Sequence, residues 1–400
     1  MGLISSQEAL VNILKNTENW GVETIPFQMS EGRVLKETIV SDRDLPPFNR
    51  VSMDGIAICT DTYKQGVRSF KIEGVQAAGS PPLTLKNPDN CIEAMTGAVL
   101  PGNSDAVIPY ELLGIKNGVA TVENYDVKYF KNVHKQGADY LKKEVLIPIN
   151  TLISPAEIGV LATVGKVTVQ VAKHPKVLVI STGDELVEVD VIPENHQIRR
   201  SNVHAIVSVL KALTIMATTI HISDDKEKLT ALIEGYLDNY DVLLFSGAVS
   251  KGTFDFIPDV LDSLGVKKLF HGVKQRPGKP FWFGKKNKTT IFAFPGNPVS
   301  TYVSCLKYFT PWFHKSMGRS SENTMQAILG EAVIFKPFMT YFLQVTLRNE
   351  AGTLVAYPQQ GNGSGDLVNL VKSDAFMELP AGTTAFKKGA VYPVILYRNL

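Results

Sequence analysis

Cysteine is scarce in this sequence: Cys59, Cys91 and Cys305 form an odd, widely spaced set with no CxxC pair. That argues against a disulfide framework or a thiolate zinc cage, and for a reducing compartment. Net charge is nearly absent too. The 41 Lys and Arg against 39 Asp and Glu leave +2, so no global field marks a nucleic-acid or membrane-surface binder. An anionic partner has to be held by local groups. No apolar run approaches the roughly 20 residues a spanning helix needs. The opening "MGLISSQEALVNILKN" has no basic segment followed by an apolar block, so no secretory leader is expected. The expected location is the cytoplasm. The 7 histidines show no HExxH spacing, and neither a GxSxG elbow nor a Cys/His pairing suggests covalent catalysis.

What is present is length and pattern. A chain of 400 residues at 44% hydrophobic can bury a substantial core over several domains. Residues 1–23 open with a helix: Ser5 and Glu8 have capping-box spacing, and Leu10, Ile13 and Leu14 share a face. Short strands follow in 24–46, ending at the prolines of "DLPPFNR". Residues 47–140 carry short β-branched runs broken by Gly, Pro and Asn, the pattern of a small β-rich domain. In "SPAEIGVLATVG", Ser154, Pro155, Glu157 and Gly165 start and stop a helix. Beyond it the strands "KVLVIS", "ATTIHIS", "DVLLFSG" and "TTIFAFPG" alternate with helices near 202–213, 225–237, 255–264 and 298–310. That alternation predicts a mostly parallel sheet covered on both faces. From 323 to 400 the pattern is β again.

Sheets of this kind place ligands at the carboxyl ends of their strands. Three such ends carry small and charged residues: "STGDEL" at 181–186, "SGAVSKGTFDF" at 246–256 and "FPGNPVS" at 294–300. Glycines there admit a ligand close to the backbone. Asp184, Glu185, Asp224 and Asp255 have two readings. Each can cap or open a helix, and "DDKE" sets Glu227 at capping-box distance from Asp224. Gathered at one sheet edge, they become hard oxygen ligands suited to Mg²⁺, which takes one or two carboxylates plus substrate phosphate oxygens. "KQRPGKPFWFG" clusters Lys274, Arg276 and Lys279 around a Pro-Gly turn, either a solvated basic turn or an anion clamp. Asp54 of "SMDG" reads by itself as part of an Asp-Gly hairpin turn.

The segments "LPPFNRVSMDGIAI", "AMTGAVLPGNSDAVI", "STGDEL", "IRRSN", "SGAVSKGTFDF", "RPGKPFWFG" and "FPGNPVS" occur in this order. Together they resemble the molybdopterin molybdenumtransferases and the related C-terminal domain of gephyrin. The resemblance runs from the first helix to about residue 315 and weakens toward 400. It implies an α/β multidomain fold: a central three-layer α/β/α molybdopterin-binding domain at 173–322, an inserted β-rich domain at 47–140, a discontinuous linking domain from 24–46 and 141–172, and a C-terminal β-domain at 323–400.

The implied activity is molybdenum insertion from molybdate into adenylylated molybdopterin, with Mg²⁺-dependent release of AMP. The implied partners are a second copy in an elongated homodimer, the molybdopterin adenylyltransferase and the recipient molybdoenzymes. Adenylyl transfer to molybdopterin, and a non-catalytic scaffold or cofactor carrier, stand as alternatives.

Position by position, the resemblance implies catalytic roles for Asp54, Asp139 and Asp255, and metal ligation by Asp184, Asp224 and Asp255. It implies substrate contacts from Thr96, Glu185, Arg276, Lys279, Pro295, Gly296, Asn297, Pro298 and Ser364, the last brought to the cleft through the dimer. The chain departs from the family pattern at His134, where Arg is usual, at Ala138 for Glu, at Ala248 for Gly and at Arg276 for a frequent Lys. These departures change the setting of Asp139 and the donor geometry of the clamp, and remove no carboxylate on which the implied activity depends.

Overall fold

The computed structural model describes residues 2–123, 125–247, 249, 255–319 and 324–398. At its centre is a six-stranded sheet in the order Ala217–Ile222, Val177–Thr182, Val242–Ser246, Thr289–Phe294, Trp282–Lys286, Lys267–His271. The first four strands are parallel; Trp282–Lys286 runs against them, and Lys267–His271, antiparallel to it, runs with them again. Strand periodicity builds the layers. Val177 and Val179 pack with Ile206, Leu210, Tyr308 and Trp312 on one face, while Leu178 and Ile180 pack with Leu229, Ile233, Val260 and Leu261 on the other. Helices therefore cover both faces. The helix expected at 298–310 extends to Ser316, passing through a π turn at Cys305–Phe309.

Both expected capping boxes form. Ser5 and Glu8 start the helix Ser6–Leu14, whose Ala9 and Ile13 enter the central core. Ser154 and Glu157 start Pro155–Thr163. That helix shares a core with Leu35, Ile39, Ile147 and Val171, so chain from both sides of the inserted β-region meets in one cluster. The β-region itself is a six-stranded sheet. Here the hairpin reading of Asp54-Gly55 is corrected. Gly55 begins the strand Gly55–Ile58, paired on both sides. A Cβ there would lie 1.9 Å from the Ile108 carbonyl oxygen, so close strand approach, not a turn, requires the glycine.

The C-terminal strands Thr340–Glu350, Thr353–Pro358, Gln326–Leu329, Val391–Leu396 and Ala375–Leu379 pair in that order, and the first pairs back to the last, closing a small barrel. The start of its strand Thr340–Glu350 pairs with Val273–Arg276 from the central region, Gln275 opposite Thr340 and Arg276 opposite Tyr341.

Candidate functional site

Because four central strands run parallel, the ends of Thr182, Ile222, Ser246 and Phe294 open on one edge of the sheet. The chain turns away there through Gly183 at φ 130° and Gly247 at φ 109°. A cavity of about 470 Å³ lies at this edge, lined by Glu185, Arg200, Asn202, Asp224, Asp255, Gly296, Asn297 and Pro298 among others. Ala248 and residues 250–254, most of the loop expected to cradle phosphate, lie outside the described residues.

The capping alternative for these carboxylates does not hold. Asp225, not Asp224, caps the helix Lys226–Asn239, accepting the Glu227 and Lys228 amides at 3.0 and 3.1 Å. "GDELV" leads into a short strand, Leu186–Val187, rather than a helix. The N-cap of Ile257–Ser263 is Phe256, not Asp255. Asp224 thus faces the cavity with no structural duty for its side chain. Its Oδ1 is buried and accepts no hydrogen bond. Burial first, then the charges of Asp184 and Glu185 and more weakly Asp255, hold its carboxyl above the ordinary carboxylate range.

A buried, unpartnered carboxylate oxygen among like charges is a group that a cation would satisfy. Among the described residues no three His, Cys, Asp or Glu converge into a complete metal cage, so the donor set suits a hard ion that completes its shell with ligand oxygens and water. Asp184, expected among the metal ligands, accepts the Asp224 amide at 3.1 Å and does not line the cavity.

A second cavity of about 940 Å³ adjoins the first and shares Asp255, Gly296 and Asn297 with it. Its walls bring Arg276 and Lys279 of the basic turn together with Pro295, Ser364, Phe335 and Tyr341. The turn is braced from beneath. Buried Gln275 donates to the Gly278 carbonyl at 3.1 Å and accepts from the Tyr308 hydroxyl. The barrel closes onto the Pro-Gly-Asn-Pro loop: Asn297 Nδ2 donates to Ser364 Oγ at 2.8 Å, and the Val299 amide to the Ser364 carbonyl at 3.1 Å. Ser364 reaches the loop within its own chain, where delivery through a dimer was expected.

Asp54, Thr96 and Asp139 line neither cavity. They gather instead around the strand Arg50–Val51, which pairs with Val133–His134 and bridges Val99. Exposed Asp54 accepts the Thr96 amide at 2.6 Å, and the Thr96 backbone and side-chain hydrogen bonds hold its carboxyl below the ordinary range. Asp139 bonds His134 Nε2 at 2.9 Å, and Arg50 reaches His134 Nδ1 at 3.1 Å. Since guanidinium can only donate, Nδ1 accepts and the neutral ring donates from Nε2 to Asp139. The substitution at His134 keeps a donor on Asp139.

Arg200, Asn202 and Ser181 also line the first cavity and were not singled out from sequence. Asn202 Nδ2 donates to the Gly296 carbonyl at 2.7 Å. The signal available was "IRRSN", two arginines and an asparagine just ahead of a helix that starts at this sheet edge.

Family models cover most of the chain: the MoeA N-terminal region (domain I and II) matches residues 4–165, a probable molybdopterin binding domain 178–315, and the MoeA C-terminal region (domain IV) 326–397. A molybdopterin molybdenumtransferase of Synechocystis is 37% identical over 396 residues, 98% of this chain and 99% of that protein. One from Bacillus subtilis is 29% identical, over 99% and 94% of the two chains. The crystal structure of a molybdopterin biosynthesis MoeA protein from Pyrococcus horikoshii superposes with a TM-score of 0.83 at 28% identity, covering 100% of both chains.

Proposed function

The chain belongs to the MoeA family of molybdopterin molybdenumtransferases, and from that premise we propose that the joined cavities hold adenylylated molybdopterin, Mg²⁺ and molybdate for metal insertion with release of AMP. The observation that carries this reading is the buried Asp224 Oδ1 without a partner, on a cavity wall shared with Asp255 and Glu185.

In this reading Asp224 and Asp255 hold Mg²⁺, with Asp184 fixing the backbone beneath Asp224. When bound, the ion supplies positive charge to the pyrophosphate oxygens. The remaining work belongs to the chain. Glu185 orients the substrate in the first cavity, and Pro295, Gly296, Asn297 and Pro298 shape the passage between the two cavities. Arg276 and Lys279 offset the charge of molybdate and of the leaving phosphate. Ser364 fixes the loop through Asn297 and adds a hydroxyl to the second wall. Asp54, Thr96 and Asp139 act from the inserted domain of a second copy in a homodimer, since within one chain they lie apart from the cavities.

Among the described residues no helix is long and apolar enough to cross a membrane. The decisive experiment supplies purified protein with adenylylated molybdopterin, Mg²⁺ and molybdate, and measures AMP and active cofactor. Absence of AMP release defeats the proposal.

A further inference from the structure

The first cavity holds one cationic side chain that is both deeply buried and firmly placed. The Arg200 side chain is 10% exposed. Its Nη1 donates to Ser181 Oγ at 3.3 Å, and its backbone amide donates to the Val187 carbonyl at 3.0 Å. Ser181 is itself buried, and its oxygen lies 3.1 Å from His221 Nδ1. The serine oxygen thus accepts from Arg200 while its hydroxyl is within reach of the Ile220 carbonyl at 3.5 Å and of the imidazole, so the serine is held from both sides. The buried Nε has no partner at all.

The guanidinium's charge is met by Glu188, both of whose carboxylate oxygens are bonded by Nη2. The two partners differ in freedom. Glu188 is 56% exposed and follows the short strand Leu186–Val187, while Arg200 is walled in. A buried guanidinium needs an anion at all times. The exposed glutamate can leave for water at small cost.

Resting on the reading of the cavity as a pyrophosphate site, we propose that Arg200 is a substrate-binding residue that exchanges Glu188 for a phosphoryl oxygen of the incoming ligand. Glu188 is a placeholder for the empty state. Ser181 and His221 are positioning residues that keep the guanidinium aimed while its anion changes. Arginine suits this duty, because its planar fork accepts a carboxylate or a phosphate in the same two-pronged geometry. The cavity then has two kinds of anion receptor: carboxylates that need a metal ion, and a cation that needs none.

The test is calorimetric titration of inorganic pyrophosphate with Mg²⁺ into wild-type protein, Arg200→Met, Arg200→Lys and Glu188→Gln, with AMP release measured in parallel. Arg200→Met should weaken pyrophosphate by about 10- to 100-fold, the worth of a hydrogen bond to a charged group. Arg200→Lys should fall between, keeping charge but not the fork. Glu188→Gln, at an exposed position, should fold normally and tighten binding by about 2- to 5-fold, because the ligand no longer displaces a charged rival. Wild-type affinity in Arg200→Met, or weaker binding in Glu188→Gln, overturns the exchange. Wild-type protein that binds pyrophosphate through Arg200 but never releases AMP defeats the functional reading and leaves this inference standing.

Discussion

Replacing Asp224 with Asn should make the protein more stable and less active at once. The substitution is nearly isosteric, so packing is unchanged and the effect is electrostatic. In the ligand-free protein Asp224 bears its charge with Oδ1 buried and unpartnered, facing Asp184 and Glu185. Asn keeps a polar atom at that place, so what the substitution removes is the partly buried charge and its repulsion by Asp184 and Glu185. Asp224 is only partly buried and water screens part of the repulsion, so the gain from Asn is about 1 kcal/mol, or roughly 2–4 °C in the unfolding midpoint of a domain of this size. With Mg²⁺ and pyrophosphate at ten times their dissociation constant, wild-type protein should gain about 1.4 kcal/mol by mass action, and Asp224→Asn little or nothing. AMP release should fall by about 100-fold or more, as expected when several kcal/mol of charge stabilisation is lost. Differential scanning fluorimetry with and without Mg²⁺ and pyrophosphate, beside the AMP assay, reads all three quantities. A variant that melts lower than wild type, or that keeps the ligand-induced shift, would refute the assignment of Asp224 to the metal.

Asp54→Asn should leave the unfolding midpoint unchanged, since the side chain is exposed and Asn can still accept the Thr96 amide, yet it should suppress AMP release; normal turnover shows the carboxylate to be structural. Gly278→Ala should lower stability by about 1–3 kcal/mol and raise the Michaelis constant for molybdate, because a Cβ at φ 93° would sit 2.6 Å from the Gln275 amide nitrogen that braces the clamp; an unaltered midpoint and Michaelis constant rules this out. His174, packed edge-on against Phe313, is held down to about 4 from 6.5 by burial and by the charge of Arg33. Between those values the unfolded chain binds a proton that the folded chain refuses, so stability is lost as pH falls from about 6.5 towards 4, by roughly 2 kcal/mol after allowance for partial exposure. Denaturant titrations at pH 7 and pH 4.5 should show a larger loss for wild type than for His174→Gln, and equal losses would remove His174 from the account.

The features legible in the sequence were those set by neighbours along the chain. Ser5 with Glu8, and Ser154 with Glu157, form capping boxes because three-residue spacing alone brings their groups together. The inner parallel strands Val177–Thr182, Val242–Ser246 and Thr289–Phe294 were legible because their residues are buried on both faces, which removes polar alternation. Distant contacts were not legible. Asp-Gly signals a hairpin locally, yet Gly55 answers to the Ile108 carbonyl on another strand. "KQRPGKP" looks like a surface turn until Gln275 and Arg276 pair with Thr340 and Tyr341 of the barrel. Arg200 was passed over because nothing near it in sequence reveals that Ser181 will lie beneath it.

The two adjacent aspartates show why spacing rules were insufficient at the sheet edge. Either Asp224 or Asp225 satisfies the sequence pattern for a cap, but only one residue can hold the extended backbone of an N-cap while its side chain turns back to the helix amides. Asp225 does so, which points its neighbour the other way, into the cavity. The same division recurs at the clamp. Strand alternation sends Gln275 inward to Gly278 and Tyr308, and so sends Arg276 outward to the ligand wall. In both pairs a structural residue fixes the backbone, and geometry then presents the adjacent charge to the cavity. Substituting Asp225, which lines neither cavity, should therefore weaken calorimetrically measured pyrophosphate binding without removing a ligand contact, through the orientation of Asp224 beside it, and unchanged affinity would refute the division of labour.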